Sequence, residues 1–291
     1  MANRYVLRDA NTEKWIWLGA TVLSLIAFAA NSIFCRLALR GGDIDPASFT
    51  TIRLLGGTLC LLCLIRPTNL KMLGGSWRGG LYLFVYAYLF AVAYIQLDAG
   101  VGALILFGAV QITLFAVGWS GGEKVRLRAL LGMLVAFSGL VILLAPGGSA
   151  PPLGSALLMM VAGVAWGAYS ALGRWSVNPL ADTAGNFLRS LPLLAVVASV
   201  ALIHESWHVS PIGALYASAS GVLASGAGYA VWYAVVRRLR AQTAAILQLS
   251  VPVFACAAGV IVLDEPLSVR LAVASAVVLS GIALALTARR F

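Results

Sequence analysis

Apolar runs of about twenty residues follow one another along almost the whole chain, separated by short clusters of charged residues, glycine and proline. Roughly 20 helical residues cross the hydrocarbon core of a bilayer, so each run is long enough for one crossing. Hydrophobic residues occupy 61% of the 291 positions and charged residues only 10%, whereas a soluble globular domain carries about 25% charged residues. The pattern therefore predicts an all-α polytopic membrane protein with no soluble domain of useful size.

We predict ten transmembrane helices from the positions of the breakers and charges. The predicted spans are 15–38, 46–65, 77–97, 99–120, 126–145, 153–173, 183–203, 211–236, 241–262 and 268–288. The weakest boundary is the single Asp98 between the third and fourth spans. Either that connection is very tight or the third span ends earlier than position 97.

The basic residues give the predicted bundle an orientation. With the N-terminus in the cytoplasm, 15 of the 20 Lys and Arg residues fall on the cytoplasmic side. Arg36, Arg40 and Arg270 fall outside, and Arg53 and Arg189 fall within spans. An excess of basic residues marks cytoplasmic loops, so we expect both termini in the cytoplasm of a bacterial inner membrane. The charge of +10 follows from this distribution and does not indicate a nucleic-acid partner.

The chain also contains an internal repeat. Residues 27–36 read AFAANSIFCR and residues 165–174 read AWGAYSALGR, with Arg36 and Arg174 as their last positions. We therefore predict two five-helix repeats, at 1–145 and 153–291. Because five is an odd number, the halves enter the membrane from opposite sides, which is a recurrent design of secondary transporters. Exchanging the conformations of the two halves then gives outward-open and inward-open states of near-equal energy.

A second match has an offset of 142 residues and pairs Glu123 with Glu265 and Gly139 with Gly281. An acidic residue before a fifth helix rich in small residues resembles the EamA unit of the drug/metabolite transporter superfamily. More narrowly, the chain resembles the YddG type of bacterial amino-acid exporter. That resemblance implies a ten-helix exporter of aromatic and other neutral amino acids. Other small metabolites or drugs remain as alternative substrates, and a passive channel remains as an alternative mechanism.

We find no pattern that indicates an enzyme, a cofactor or a metal site. All ten acidic residues lie at or near span ends, which argues against a deep carboxylate relay. Cys60 and Cys63 lie mid-span, and His204 and His208 share a short external loop without a third ligand. We expect a small-molecule amino acid and the lipid bilayer as partners, and a chain that functions as a monomer.

Polar and aromatic residues inside the spans are the candidate substrate-binding residues. Unpaired amides are costly in hydrocarbon, and a mid-membrane Trp or Tyr needs a polar partner. A proline inside a span frees a carbonyl. The candidates are Phe28, Asn31, Tyr82, Tyr86, Gln111, Trp166, Tyr169, Tyr229, Trp232, Gln248 and Pro252. Helix–helix hydrogen bonding and core packing are the alternative roles for these side chains.

Three further residues have specific expectations. Arg53 and Arg189 lie about seven residues from their span starts, so we expect them to extend toward the interface. They either pair with helix ends or act in gating or substrate binding. Tyr94, with Tyr82, is expected to anchor the third span at a membrane interface.

Overall fold

The computed structural model describes residues 10–69, 72–122, 127–147, 150–174, 176–203, 207–239, 244 and 247–287. These residues contain no β-strand, although Ile44 and Val209 form an isolated antiparallel bridge. The helices are α1 (Ala10–Arg40), α2 (Pro46–Ile65), α3 (Trp77–Ala93), α4 (Ala99–Ser120), α5 (Leu127–Leu144), α6 (Leu153–Gly173), α7 (Pro179–Ser190), α8 (Leu194–Ile203), α9 (Pro211–Ala219), α10 (Gly228–Val236), α11 (Ser250–Leu263) and α12 (Val269–Thr287). A 3-10 turn, Leu191–Leu193, joins α7 to α8, and a π-helical segment, Ser220–Ala227, joins α9 to α10.

These helices make ten membrane crossings in the described part of the chain. Seven segments are long and apolar enough to span a bilayer. They are Trp15–Arg40, Pro46–Ile65, Ala99–Ser120, Leu127–Leu144, Leu153–Gly173, Pro211–Val236 and Val269–Thr287. The shorter apolar helices α3 and α11 make two more crossings, and α7 with α8 makes the tenth. The predicted all-α polytopic fold with ten helices is therefore confirmed.

Corresponding helices in the two halves begin with the same capping device. The second helix of each half starts after an Asx residue that is followed by proline, Asp45 before α2 and Asn178 before α7. The third helix of each half starts after a serine, Ser76 before α3 and Ser210 before α9. In all four cases the side chain accepts a hydrogen bond from an N–H of the first turn, which would otherwise have no partner.

The third span ends at Ala93 and not at position 97, so the longer prediction is wrong. Two groups explain the early end. The Arg36 guanidinium donates to the carbonyl oxygens of Tyr94 and Ile95 at 3.1 and 2.9 Å. The Tyr94 hydroxyl donates to the carbonyl oxygen of Ala99 at 3.2 Å. These bonds satisfy carbonyls at the helix end and fold the connection back toward α4.

Two other boundaries differ from the prediction at proline residues. The seventh span begins at Pro179 rather than 183, and its helix is interrupted around Pro192, which has no N–H to donate. The predicted ninth span, 241–262, lies partly outside the described residues. Its described part has a turn at Leu249, and Pro252 then occupies the first turn of α11 rather than the middle of a helix.

The fifth helices of the two halves, α5 and α12, cross with backbone in direct contact. A Cβ atom added to Gly281 would lie 2.4 Å from the nitrogen of Ala136, and one added to Gly139 would lie 2.9 Å from the nitrogen of Val278. At the repeat offset of 142 residues, Gly139 corresponds to Gly281 and Ala136 corresponds to Val278. The same contact therefore occurs twice, related by exchange of the halves, and its antiparallel order confirms two inverted repeats.

The remaining helices interlock across the halves in the same symmetric way. In the first half, α1 packs against α9, α10 and α11, which are the third and fourth spans of the second half. In the second half, α6 packs against α3 and α4, which are the third and fourth spans of the first. The first span of each half thus lies among helices of the other half, and the space between α1 and α6 falls at the centre of the bundle.

Candidate functional site

A cavity of about 340 Å³ lies between α1 and α6, a volume within the range of small-ligand sites. We call it the central cavity. Its lining combines aromatic rings with hydroxyl and amide groups and comes from both halves. The lining residues are Phe28, Asn31, Ser32, Tyr86, Phe90, Leu106, Phe107, Val110, Leu114, Trp166, Tyr169, Ser170, Gly173, Arg174, Ser176, Pro179, Asp182, Thr183, Asn186, Tyr229, Trp232, Tyr233, Val236 and Gln248.

Trp166 is the centre of the aromatic part of the lining. Its ring centroid lies 4.7 Å from that of Tyr86, 5.1 Å from Tyr169 and 5.7 Å from Tyr229. Phe28, on α1, contacts Tyr229 at 5.6 Å. Rings at these separations attract one another beyond their burial. The cluster therefore presents a continuous aromatic surface to whatever occupies the cavity.

Asn31 connects the cavity to the π-helical segment. Its side-chain oxygen accepts hydrogen bonds from the hydroxyls of Ser220 at 2.8 Å and Ser225 at 3.3 Å. The i→i+5 bonding of a π-helix widens the turn, and in this segment two serines five positions apart both reach Asn31. The π-helical geometry of Ser220–Ala227 thus fixes the position of a cavity-lining amide.

A second hydrogen-bond chain crosses the cavity wall between α6, α7 and α10. The Tyr169 hydroxyl donates to Thr183 Oγ1 at 3.2 Å, and Thr183 donates to the Tyr233 hydroxyl at 2.9 Å. The chain orients three hydroxyl groups in an otherwise aromatic surface. It gives the cavity polar groups that do not carry a formal charge.

One end of the central cavity is closed by ionic contacts, and we call it the closed end. Arg36, near the end of α1, donates to Asp98 at 3.2 Å and to Glu265 at 3.3 Å. Glu265 also accepts from the N–H of Ala99 at 2.8 Å. Arg40, one turn later, donates to the carbonyl oxygen of Leu263 at 3.0 Å. These bonds tie α1 to the start of α4 and to the α11–α12 connection.

Backbone pairing adds to this closure. The N–H of Asp45 donates to the carbonyl oxygen of His208 at 2.9 Å, and the N–H of Ser210 donates to that of Asp43 at 2.7 Å. The α1–α2 connection is thereby joined to the residues before α9, across the two halves.

At the opposite end, which we call the open end, the cavity reaches the connection between α6 and α7. Gly173, Arg174, Ser176 and Pro179 line it there, together with Val236 at the end of α10. The N-terminal part of α1 lies at the same end, because Arg238, two residues after α10, donates to Glu13 at 3.1 Å. As far as the described residues outline it, the central cavity thus extends from the middle of the bundle toward one membrane face.

Eight of the eleven predicted binding residues line the central cavity. They are Phe28, Asn31, Tyr86, Trp166, Tyr169, Tyr229, Trp232 and Gln248. Their role in binding substrate stays a prediction. The structure places Tyr82, Gln111 and Pro252 elsewhere. Gln111 is buried, Tyr82 is half-buried, and Pro252 lines a separate apolar groove beside α12. Gln111 and Gln248, which lie in the fourth span of each half, therefore do not face one another across the cavity.

Two expectations about position are wrong. Arg53 does not extend to an interface, because only 2% of it is exposed and its guanidinium lies among aromatic rings. Tyr94 is fully buried, so it is not an interfacial anchor. Arg189 is held by backbone contacts instead, since its guanidinium donates to the carbonyl oxygens of Gly74, in the loop before α3, at 2.7 Å and of Gly185, within α7, at 2.9 Å.

Several lining residues were not predicted. Phe90 follows Tyr86 by four residues on the same helix, and this regular spacing of aromatic residues could have identified it as a lining residue. Thr183 and Asn186 were placed in the first turn of the seventh span, and the true helix start at Pro179 moves them deeper. Tyr233 follows Tyr229 by four residues, on the same face of α10. The loop residues Glu123, His204 and Glu205 lie outside the described residues.

A bundle of ten membrane helices in inverted halves, with a central cavity closed toward one face, defines a multi-pass membrane transporter. The model of the EamA-like transporter family matches residues 153–287, the second half. An uncharacterized protein of Pseudomonas aeruginosa, PA1977, is 51% identical over 92% of this chain and 94% of its own length. An uncharacterized transporter of Archaeoglobus fulgidus is 25% identical over 93% of this chain and 97% of its own. The second half of the chain is thus similar to EamA-like transporters, and the whole chain is related to PA1977.

A protein of known crystal structure shares the fold. It aligns with a TM-score of 0.62 and 22% identity, over 93% of this chain and 98% of its own.

Proposed function

We propose that this protein is a secondary transporter that exports amino acids with aromatic or other neutral side chains by alternating access. The observation that carries the proposal is the pairing of a central aromatic cavity with one closed end and one open end. A carrier exposes its site to one side at a time, whereas a channel needs both ends open together. Because the halves are inverted, each half can adopt the conformation of the other, and this exchange produces the state that is open to the opposite side.

The chemistry of the cavity supports an amino acid as cargo. The rings of Trp166, Tyr86 and Tyr229 can stack on an aromatic or large apolar side chain. Asn31, Thr183 and Gln248 offer amide and hydroxyl groups for the polar end of the molecule. A volume of about 340 Å³ accommodates a single amino acid and excludes large amphiphiles.

The direction of transport rests on topology. The open end lies on the side of Glu13 and the start of α1, which the distribution of basic residues assigns to the cytoplasm. The conformation described is then inward-open, ready to accept a cytoplasmic metabolite. Family resemblance to exporters agrees with outward movement across a bacterial inner membrane.

Counterflow in proteoliposomes tests the proposal. Vesicles loaded with unlabelled L-phenylalanine should accumulate labelled L-phenylalanine transiently above the level of protein-free vesicles, with saturation at high concentration. A passive pore would equilibrate the label without an overshoot. Failure of every aromatic and neutral amino acid to exchange would overturn the substrate assignment.

A further inference from the structure

Arg53 is a charged side chain buried in the middle of the protein. Its Nη2 donates to the Tyr86 hydroxyl at 3.0 Å, and its Nε donates to Ser225 Oγ at 3.4 Å. The guanidinium carbon lies 5.2 Å from the Tyr86 ring centroid and 5.1 Å from that of Phe90. These neutral contacts compensate a buried positive charge only in part.

The guanidinium lacks the partners that such a group normally has. Its Nη1 is buried and has no hydrogen-bond partner among the residues that the structure describes. Within the same described ranges, no carboxylate lies within 4.0 Å of it. Arg36, by contrast, contacts two carboxylates, and Arg189 donates to two backbone carbonyls. Ionisable residues inside a membrane are normally paired or functional, and Arg53 is not paired in this conformation.

The Arg53 guanidinium lies directly behind the wall of the central cavity. Tyr86 and Phe90, the two rings over the guanidinium, both line the cavity. Ser225, which accepts from Arg53, also donates to the cavity-lining Asn31. A rotation of the Tyr86 side chain away from Nη2 would therefore open a path from the cavity to the guanidinium.

We propose that Arg53 binds the carboxylate of the transported molecule, so that the cargo supplies the missing negative charge. Guanidinium and carboxylate match in a planar two-bond geometry, and Nη1 already offers free donors. The aromatic faces of Trp166 and Tyr229 then lie beside the apolar part and the ammonium of the same molecule. This inference rests on the proposed function and narrows it to cargo that carries a free carboxylate.

The test compares L-phenylalanine with L-phenylalaninamide, which lacks only the carboxylate charge, in the same counterflow assay. Wild-type protein should prefer the acid by roughly 10- to 100-fold, as expected for a hydrogen-bonded charge pair. Arg53→Met should abolish this preference. Arg53→Lys keeps the positive charge but lacks the planar guanidinium, so it should retain a reduced preference for the acid.

Arg189→Met is the matched control, because Arg189 is the basic residue of the corresponding span in the second half. It should keep the preference for the acid while lowering the thermal unfolding midpoint, since two backbone carbonyls lose their donor. Arg53→Met should not lower that midpoint, because it removes an unpaired buried charge. A structural arginine at position 53 would give the opposite stability result and would leave the substrate preference intact.

The remaining outcomes separate the two proposals. Equal transport of acid and amide by wild-type protein overturns the role of Arg53 and leaves the carrier proposal standing. If neither compound exchanges, the amino-acid proposal fails. Binding of 3-phenylpropionate then tests the proposed carboxylate site at Arg53 by itself. A rise of the wild-type unfolding midpoint with that carboxylate, absent in Arg53→Met, upholds the carboxylate site. No rise in the wild-type protein overturns it.

Discussion

Arg36 and Glu265 are 229 positions apart in sequence, and their side chains meet at 3.3 Å, linking the first span of one half to the loop between the last two spans of the other. Both side chains are buried, whereas Asp98, the other acid bound to Arg36, is 39% exposed. Contacts between solvent-exposed charges contribute little, so the Arg36–Glu265 pair carries most of the ionic closure. The contact joins helices that must separate if the closed end is to open.

Arg36→Gln should shift the protein toward the state in which the closed end is open. The substitution leaves the buried Glu265 carboxylate without its cation, which is costly. A coupling of about 1–3 kcal/mol corresponds to a 5- to 150-fold change in the conformational equilibrium. The measurement is the labelling rate of Cys35, which is buried beside Arg36, by an impermeant thiol reagent in a variant that lacks the other cysteines.

Arg238→Gln is the control for that experiment. The Arg238–Glu13 pair has a similar distance, 3.1 Å, but both side chains are more than half exposed. Its loss should leave the Cys35 labelling rate within about twofold of the parent, as for a surface pair. Equal effects of the two substitutions would show that Arg36 does not hold the closed end shut.

Acidification should stabilise the folded protein against unfolding through Glu265. Burial raises the pKa of this loop carboxyl above its ordinary value, and the Ala99 N–H and the Arg36 guanidinium offset only part of the rise. The folded protein therefore holds the proton more tightly than the unfolded chain does. This contribution to stability is fully present below the ordinary pKa and is lost as the pH rises through the raised pKa. Unfolding midpoints of wild type and Glu265→Gln, measured across that range, should diverge with pH, and parallel curves would contradict the assignment.

Trp166→Ala should impair transport without removing the protein from the membrane. Trp166 contacts three other cavity rings. The loss of its stacking contact with a bound aromatic side chain, at about 0.5–1.5 kcal/mol, corresponds to roughly a 2- to 13-fold loss of affinity. Counterflow at matched protein levels measures the change. Trp119→Ala, at a site that is 63% exposed at the end of α4, should transport as the wild type does. An unchanged rate in Trp166→Ala removes this ring from the site.

Gly281→Ala should destabilise the α5–α12 crossing. The added methyl group would lie 2.4 Å from a backbone nitrogen of α5, so the helices must move apart, at a cost of about 1–3 kcal/mol. Gly154→Ala is the matched control, since nothing lies within 4 Å of its added Cβ and alanine favours the helix. Thermal unfolding in detergent should show a lower midpoint for the first variant only. A normal midpoint for Gly281→Ala would mean that the crossing tolerates separation.

The sequence predicted the ten crossings because lipid imposes a fixed length and an apolar surface on every span. It also predicted most of the cavity, since polar and aromatic groups at mid-depth, such as Asn31 and Trp166, have few stable places other than a wet interior. The repeat allowed the two halves to be matched. It did not determine which side chains of the two fourth spans face the cavity, as the different positions of Gln111 and Gln248 show.

The position of Arg53 could not be deduced from its distance along the span. That estimate assumed that a long cationic side chain reaches for water, whereas the Tyr86 hydroxyl and two ring faces hold the guanidinium inside. Likewise, the short third span depends on bonds from Arg36 to the carbonyls of Tyr94 and Ile95, which come from a helix nearly sixty residues away. Contacts between distant segments decided both cases, and hydropathy carries no information about them.

The glycine-lined crossing of α5 and α12 bears on the origin of the chain. Because Gly139 meets Val278 as Gly281 meets Ala136, one helix surface recognises an upside-down copy of itself. A shorter ancestral chain of five helices, inserted in both orientations, would have possessed this surface already and could have paired with its own inverted form. Gene duplication and fusion would then have fixed the ratio of the two orientations at one to one and allowed each copy to diverge. Arg53 and Arg189, the basic residues of the second span in each half, accordingly have different surroundings.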